Sequence, residues 1–184
     1  DRPYSDGHNS WSEMNFKSSF SNPAQWISHL QNEGINFSTW ITPAMFGDQP
    51  DCPLQLDGIF GYVDLSSPEA YSWYKNNLKN LQHINGVKGH KIDRVDENFV
   101  QESAWYDNTP QEARWNTYAT LSAKAAGEAL AESHPDDHFL FARVAYNRSQ
   151  QYLDAVWGGD VGATLMDMGE NLCNAMRCSY MGFP

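Results

Sequence analysis

Two periods of apolar residues succeed one another along this chain. Over residues 23–34, PAQWISHLQNEG, Trp26, Ile27 and Leu30 recur at helical spacing, Asn22 stands as N-cap, Pro23 at the first helical position and Gly34 past the end. A helix is predicted there. It runs into residues 35–41, where Ile35, Phe37, Thr39 and Ile41 alternate and β-formers dominate, predicting a strand stopped at Pro43. The next unit reverses the order: a short strand over 62–65, and a helix capped by Ser66 or Ser67 with Pro68 near its start and apolar positions through Leu78 and Leu81. Gly86 opens a strand over 87–92. A long helix over 110–133, carrying Trp115, Tyr118, Leu121, Ala126 and Leu130, feeds a strand over 138–142. A last helix over 161–180 places Leu165, Met168, Leu172 and Met176 at steps of three and four.

Strands alternating with helices signal βαβ units and a parallel sheet with right-handed crossovers. Four strands are expected, whereas a closed (β/α)8 barrel needs eight and about 250 residues. The 184 residues therefore form either a small open α/β sheet or a piece of a barrel. No repeat, low-complexity tract or linker divides them, so residues 1–184 are expected to belong to one domain.

Charge narrows the partners. With 12 Lys and Arg against 23 Asp and Glu the formal charge is -11, and no basic run exists to neutralise a phosphate backbone, so nucleic acid and anionic membranes are poor candidates. The longest apolar stretches are strand-sized, and a soluble chain is expected. It opens on Asp1-Arg2-Pro3 without a charged-then-apolar leader, which leaves secreted and cytoplasmic locations open. Cys52, Cys173 and Cys178 show no CxxC or metal-ligand spacing and are expected to be packing residues. Asn36-Phe37-Ser38 and Asn147-Arg148-Ser149 fit the glycosylation sequon, a short pattern that decides nothing without a compartment.

In parallel α/β architectures the functional groups gather at the C-terminal ends of strands. That rule selects two places. Lys91-Ile92-Asp93 ends the strand beginning at Val87, and period-two alternation puts Lys91 and Asp93 on one face. Arg143 ends the strand HFLFA, and the loop after it closes at Trp157-Gly158-Gly159-Asp160, where the glycines permit a tight turn beside a carboxylate and Trp157 offers a stacking platform. Two carboxylates from different strand ends, flanked by Trp, Arg and Lys, suit hydrolysis of a glycosidic bond: one attacks the oxocarbenium-like centre and the other shuttles the proton. Spacing alone leaves local capping, ion pairing and turn formation open for each of these residues. Trp11, Trp105 and Tyr106 either line outer sugar subsites or anchor their loops. Asp6-Gly7-His8-Asn9 reads as a turn, and no metal is assigned. His90 alternates away from Lys91 and is expected to pack against a helix.

At these same residues the sequence resembles glycoside hydrolase family 31, the retaining α-glycosidases, along nearly the whole chain. GVKGHKID resembles the family's G-V-x-x-F-K-x-D strand, which implies that Asp93 is the nucleophile, and Lys91 matches the lysine of the α-xylosidase-like branch. FARVAYNRSQQYLDAVWGGD resembles an Arg-ended strand followed by W-x-G-D, which implies that Asp160 is the general acid/base and that Arg143 and Trp157 bind substrate. Trp40-Ile41-Thr42-Pro43 resembles the W-I-x-P strand end, and the segment from Tyr62 to Pro68, containing Asp64, resembles D-x-x-x-P. Asp1 sits where the family often has an aspartate reaching the sugar. Trp40, Asp64 and Asp1 thereby join the substrate-binding set. Three departures stand out: His90 where Phe or Trp is usual, Val144 for a serine, and one residue more than D-x-G-E in Arg94-Val95-Asp96-Glu97.

The resemblance implies about half of a (β/α)8 TIM-type barrel, completed by remaining segments of a parent chain. It implies double displacement on α-glucosides or α-xylosides, with the two carboxyls about 5 to 5.5 Å apart and no metal or organic cofactor. Transfer to a sugar hydroxyl uses the same residues, so a transglycosidase is the alternative, and a barrel fragment that binds carbohydrate without turnover is another. An α-galactosidase-type barrel would also use two aspartates, but W-x-G-D after F-x-R speaks against it.

Overall fold

The computed structural model describes residues 14–45, 51–56, 61–96 and 103–183. Four parallel strands make the main sheet, in the order β1 (Ser38–Ile41), β5 (Gly89–Ile92), β6 (Phe139–Ala142) and β7 (Ala155–Val156). A second, antiparallel sheet has the order β2 (Ala44–Met45), β4 (Gly61–Val63), β3 (Gln55–Leu56) and lies in the crossover from β1 to β5. Helix α1 (Pro23–Asn32) precedes β1, α2 (Pro68–Asn77) leads toward β5, α3 (Gln111–Ser133) connects β5 to β6, and α4 (Leu165–Tyr180) follows β7.

The strand at Tyr62 is the main correction to the sequence reading. It was expected in the parallel sheet, but Tyr62 pairs with Ala44 and Leu56 across antiparallel ladders. The fourth parallel strand is β7, whose two residues are too few to show alternation. The first strand is shorter than expected: Ile35 is exposed, and pairing with β5 begins at Ser38 opposite Gly89. Asn22 does not cap α1, since it adopts φ 52° and its side chain makes no capping bond. Ser67 does cap α2, its Oγ accepting from the Ala70 amide, and α2 continues as a π-turn over Leu78–Gln82. Helix α4 starts at Leu165, where the Thr164 hydroxyl accepts from the Asp167 amide.

The core forms where α3 lays Tyr118, Ala119, Ala123, Ala126 and Leu130 toward the sheet. Its small residues let the backbones approach: a Cβ at Gly127 would stand 3.1 Å from Tyr152. Each fully buried Leu or Ile here contributes roughly 1.5–3 kcal/mol. Helix α4 has no buried residue, and Leu165, Met168, Leu172 and Met176 are each more than 60% exposed. Its apolar stripe is therefore real but unpartnered among the described residues. Cys173 is exposed on this helix, against the expectation of a packing residue, while Cys52 and Cys178 are partly buried; all three are free thiols. Trp105 is buried against Tyr118 and anchors its loop, whereas Tyr106 is exposed. Among the described residues no helix is long and apolar enough to cross a membrane.

Candidate active site

The parallel ladder runs one residue past the ends of its strands. Asp93 N donates to Ile41 O (3.0 Å), Arg143 N to Ile92 O (3.1 Å) and Trp157 N to Ala142 O (2.8 Å). These three bonds set Asp93, Arg143 and Trp157 at matched heights on neighbouring strand ends, where a parallel sheet presents its functional groups. On β1 and β5 the register pairs Trp40 with Lys91.

Around Asp93, which is 7% exposed, the partners converge. The Trp40 indole Nε1 donates to Oδ2 at 2.9 Å and the Arg94 amide donates to Oδ1 at 2.9 Å. Arg143 approaches Oδ1 at 3.0 Å, and the Lys91 ammonium lies 3.8 Å from Oδ2. All four are donors or cations, the surroundings of a carboxylate that accepts and does not donate. The Arg94 amide reaches Oδ1 because Arg94 takes a left-handed φ of 60°, and the Tyr62 hydroxyl fixes that turn by donating to Arg94 O at 2.9 Å. A non-glycine residue held there costs about 1–3 kcal/mol, which the buried Tyr62 bond helps to offset.

Lys91 and Arg143 are each shared. The Lys91 ammonium sits 3.8 Å above the centre of the Trp157 ring, a close cation–π contact, so one face of that indole is already occupied. Arg143 also pairs through its second terminal nitrogen with Asp96, three positions beyond Asp93. Sequence reasoning did not find Asp96 as a contact; an acidic residue in the turn just after a strand-end aspartate, within reach of the next strand's arginine, was the available signal.

Asp160 stands on the turn after Gly158 and Gly159, exposed and without a hydrogen bond or ion pair to the described residues. Gly159 has φ +87°, which the path of this turn reserves for glycine, and a Cβ at Gly158 would fall 2.1 Å from Asn171 Oδ1 of α4, a side-chain end that would have to turn aside. A cleft of about 270 Å³ opens between this turn and α4, lined by Arg143, Val156, Trp157, Gly158, Asn171 and Cys178.

Asp64, expected to reach substrate, is 1% exposed and engaged by the chain itself. Its Oδ1 accepts from the Ser66 amide (3.0 Å) and hydroxyl (2.6 Å), and its Oδ2 from the Tyr106 amide (2.8 Å). Asp64 thus pins the loop before α3 to the turn before α2. Asp1, Trp11, the Asp6-Gly7-His8-Asn9 segment and Glu97 lie outside the described residues. Among the described residues no three His, Cys, Asp or Glu side chains converge as a metal ion would need.

Comparison with known proteins finds that the model of the glycosyl hydrolases family 31 TIM-barrel domain matches residues 1–184. An α-xylosidase of Emericella nidulans is 25% identical over 94% of this chain and 25% of that protein. A sulfoquinovosidase of Escherichia coli is 29% identical over 82% of this chain and 24% of that protein. Among solved structures, a family 31 α-xylosidase from a soil metagenome, complexed with xylose, superposes with a TM-score of 0.77 at 19% identity, over 95% of this chain and 29% of its own. A xylosidase from Aspergillus niger superposes with a TM-score of 0.78 at 15% identity, over 95% and 31%. The chain spans about a quarter of the length of the curated relatives it matches.

Proposed function

The chain belongs to glycoside hydrolase family 31, and we propose that it supplies the nucleophile and the general acid/base of a retaining α-glycosidase whose remaining barrel strands come from a longer polypeptide. The observation that carries this reading is the setting of Asp93: a strand-end carboxylate fixed by Trp40, the Arg94 amide and Arg143, with the Arg143 side chain also lying against Gly159 in the turn that bears Asp160. An oxygen of Asp93 attacks the anomeric carbon as the bond to the leaving oxygen breaks, and Asp160 gives its proton to that oxygen. A glycosyl ester on Asp93 results. Asp160, now ionised, takes a proton from water as the water oxygen attacks the same carbon, and Asp93 leaves as carboxylate with the configuration retained.

Each neighbour has a part in this sequence. Trp40 and the Arg94 amide orient the attacking oxygens, and Arg143 and Lys91 hold charge beside them so that the ester forms and breaks without reorganisation of the site. Arg143, paired with Asp93, and Trp157, stacked on Lys91, stand where they can meet a sugar ring and its hydroxyls. The reaction needs no metal or organic cofactor, because both steps are proton transfers and displacements at carbon. The substrate class is α-xylosides, with α-glucosides second; the match of Lys91 to the α-xylosidase-like branch and the α-xylosidase relatives support that order.

The test is turnover of aryl α-xyloside and aryl α-glucoside by this chain and by the chain extended at both ends along its coding sequence, each with Asp93→Asn and Asp160→Asn. The extended protein is expected to hydrolyse one substrate with retention, and Asp93→Asn to lower turnover at least 10⁴-fold. Unchanged turnover in Asp93→Asn would remove the nucleophile assignment.

A further inference from the structure

Both contacts on Oδ1 of Asp93 depend on the turn that follows it. The Arg94 amide donates to Oδ1 at 2.9 Å, and Arg143, which reaches the same oxygen at 3.0 Å, is paired through its other terminal nitrogen with Asp96. Residues 93–96 therefore close a ring through the guanidinium, with Arg94 inside it at φ 60°. Trp40 and Lys91, the partners of Oδ2, come from β1 and β5 and stand outside that ring.

The left-handed region is open to glycine but costs an arginine free energy, because the Cβ is crowded against the backbone. Left to itself, Arg94 would return to a negative φ. Rotation about its N–Cα bond turns the chain before it against the chain after it. The amide on Asp93 and the carboxylate that holds Arg143 then cannot both stay in place. What opposes that rotation belongs to the other sheet. The Tyr62 hydroxyl donates to Arg94 O at 2.9 Å. Tyr62 lies on β4, is 1% exposed, and meets the Tyr118 ring edge-on at 5.7 Å. Tyr118, from α3, is completely buried, packs against Trp105 and donates to Val63 O at 2.8 Å, while the Val63 amide donates to Pro43 O. The phenol is thus held by a core to which the strand ends around Asp93 do not contribute.

We propose that Tyr62 is a positioning residue for the nucleophile: its hydroxyl latches the turn over 93–96 in its left-handed form and so holds both partners of Asp93 Oδ1. The inference rests on the reading of Asp93 as nucleophile and deepens it. It also gives the antiparallel sheet in the β1–β5 crossover a part in the reaction, since β4 carries the hydroxyl that closes the latch. Tyr62 acts through Arg94 and does not touch the reacting atoms.

A double-mutant cycle on the chain extended at both ends tests it. The quantity is kcat/KM for whichever aryl α-glycoside that protein hydrolyses, in the wild type, Tyr62→Phe, Arg94→Gly and the double variant, at a temperature where circular dichroism shows each folded. Phenylalanine keeps the ring against Tyr118 and removes only the hydroxyl. Tyr62→Phe is expected to lower kcat/KM about tenfold in the arginine background. In the glycine background the loss should be about threefold or less, because glycine takes φ 60° without the latch. A hydroxyl that served only the stability of the core would leave kcat/KM of the folded protein unmoved. No loss in the arginine background, or equal losses in both, overturns the proposal. If Tyr62→Phe does not fold, Arg94→Gly is compared with Arg94→Val, both with Tyr62 in place. A β-branched residue fits a left-handed φ worst, so the valine variant should be about tenfold slower or more, and equal rates overturn the proposal. Asp93→Asn, measured alongside, separates the two levels. Turnover retained in that variant removes the nucleophile assignment and the latch with it; turnover abolished there but unchanged in Tyr62→Phe removes the latch alone.

Discussion

Trp40 reaches across from β1 to put an indole N–H on a carboxylate that belongs to β5. It is 4% exposed, so phenylalanine in its place would keep most of the packing and delete the bond. A hydrogen bond to a charged group is worth about 1.5–3 kcal/mol. Trp40→Phe is therefore expected to lower kcat about 10- to 100-fold, with a smaller change in KM, in the turnover assay of the extended protein. Asp96 acts at one remove, through Arg143. Asp96→Asn should weaken the hold on the guanidinium and raise KM several-fold, whereas Asp96→Glu, which restores the charge, should recover part of the loss. Gly159→Ala tests the turn that bears Asp160: at φ +87° a Cβ costs about 1 kcal/mol or more. A fall in activity larger than the fall in melting temperature explains would show that Asp160 had been displaced. The sequence placed Lys91, Asp93 and Arg143 because strand ends in a parallel sheet are few and period-two alternation sets their faces, whereas Trp157 stood out only as part of the Gly-Gly turn, since β7 before it is too short to show alternation. It did not reveal that Asp64 is spent on Ser66 and Tyr106, nor that Asp96 meets Arg143. Both contacts depend on turns, and the second follows a left-handed arginine that no pattern announces.

Elements differ in how far local sequence determines them. α1, α2 and α3 follow their apolar periods because each stripe finds a buried partner. Strand β7 is two residues long and exists because β6 offers a free edge to Ala155 and Val156. The 62–65 segment read as a parallel strand because its residues are β-formers, but Ala44 and Gln55 recruit it into a separate antiparallel sheet. Helix α4 shows the converse: a clear apolar stripe with nothing described against it. In the extended protein, Leu172→Glu is expected to cost about 2–3 kcal/mol, the worth of a buried leucine, as a lowered melting temperature. In the 184-residue chain alone, the same change should leave stability unaltered and raise solubility. Equal effects in both would mean that the rest of the polypeptide does not cover this face.

At the scale of the molecule, the described residues form a main sheet of four parallel strands that carries the candidate site and part of a barrel. The chain covers a quarter or so of its relatives, and among the described residues the sheet ends at β1 and β7, edges on which further strands can pair. The net charge of -11 favours solubility and disfavours polyanionic partners. The family was legible because two motifs about seventy residues apart both stand at strand ends. The sugar was not, because Asp93, Asp160 and their neighbours serve the reaction at the anomeric carbon and carry no pattern that separates one sugar from another.

Double displacement requires Asp93 to form a covalent bond with the sugar. Incubating the extended protein with a 5-fluoro-α-xylosyl fluoride, which forms the ester faster than water can cleave it, and mapping the added mass by peptide sequencing tests this directly. The label is expected on the oxygen of Asp93, in the peptide containing Lys91-Ile92-Asp93, and absent in Asp93→Asn. A label on another carboxylate, or steady hydrolysis with inversion and no label, would contradict the assignment of Asp93 and with it the double displacement.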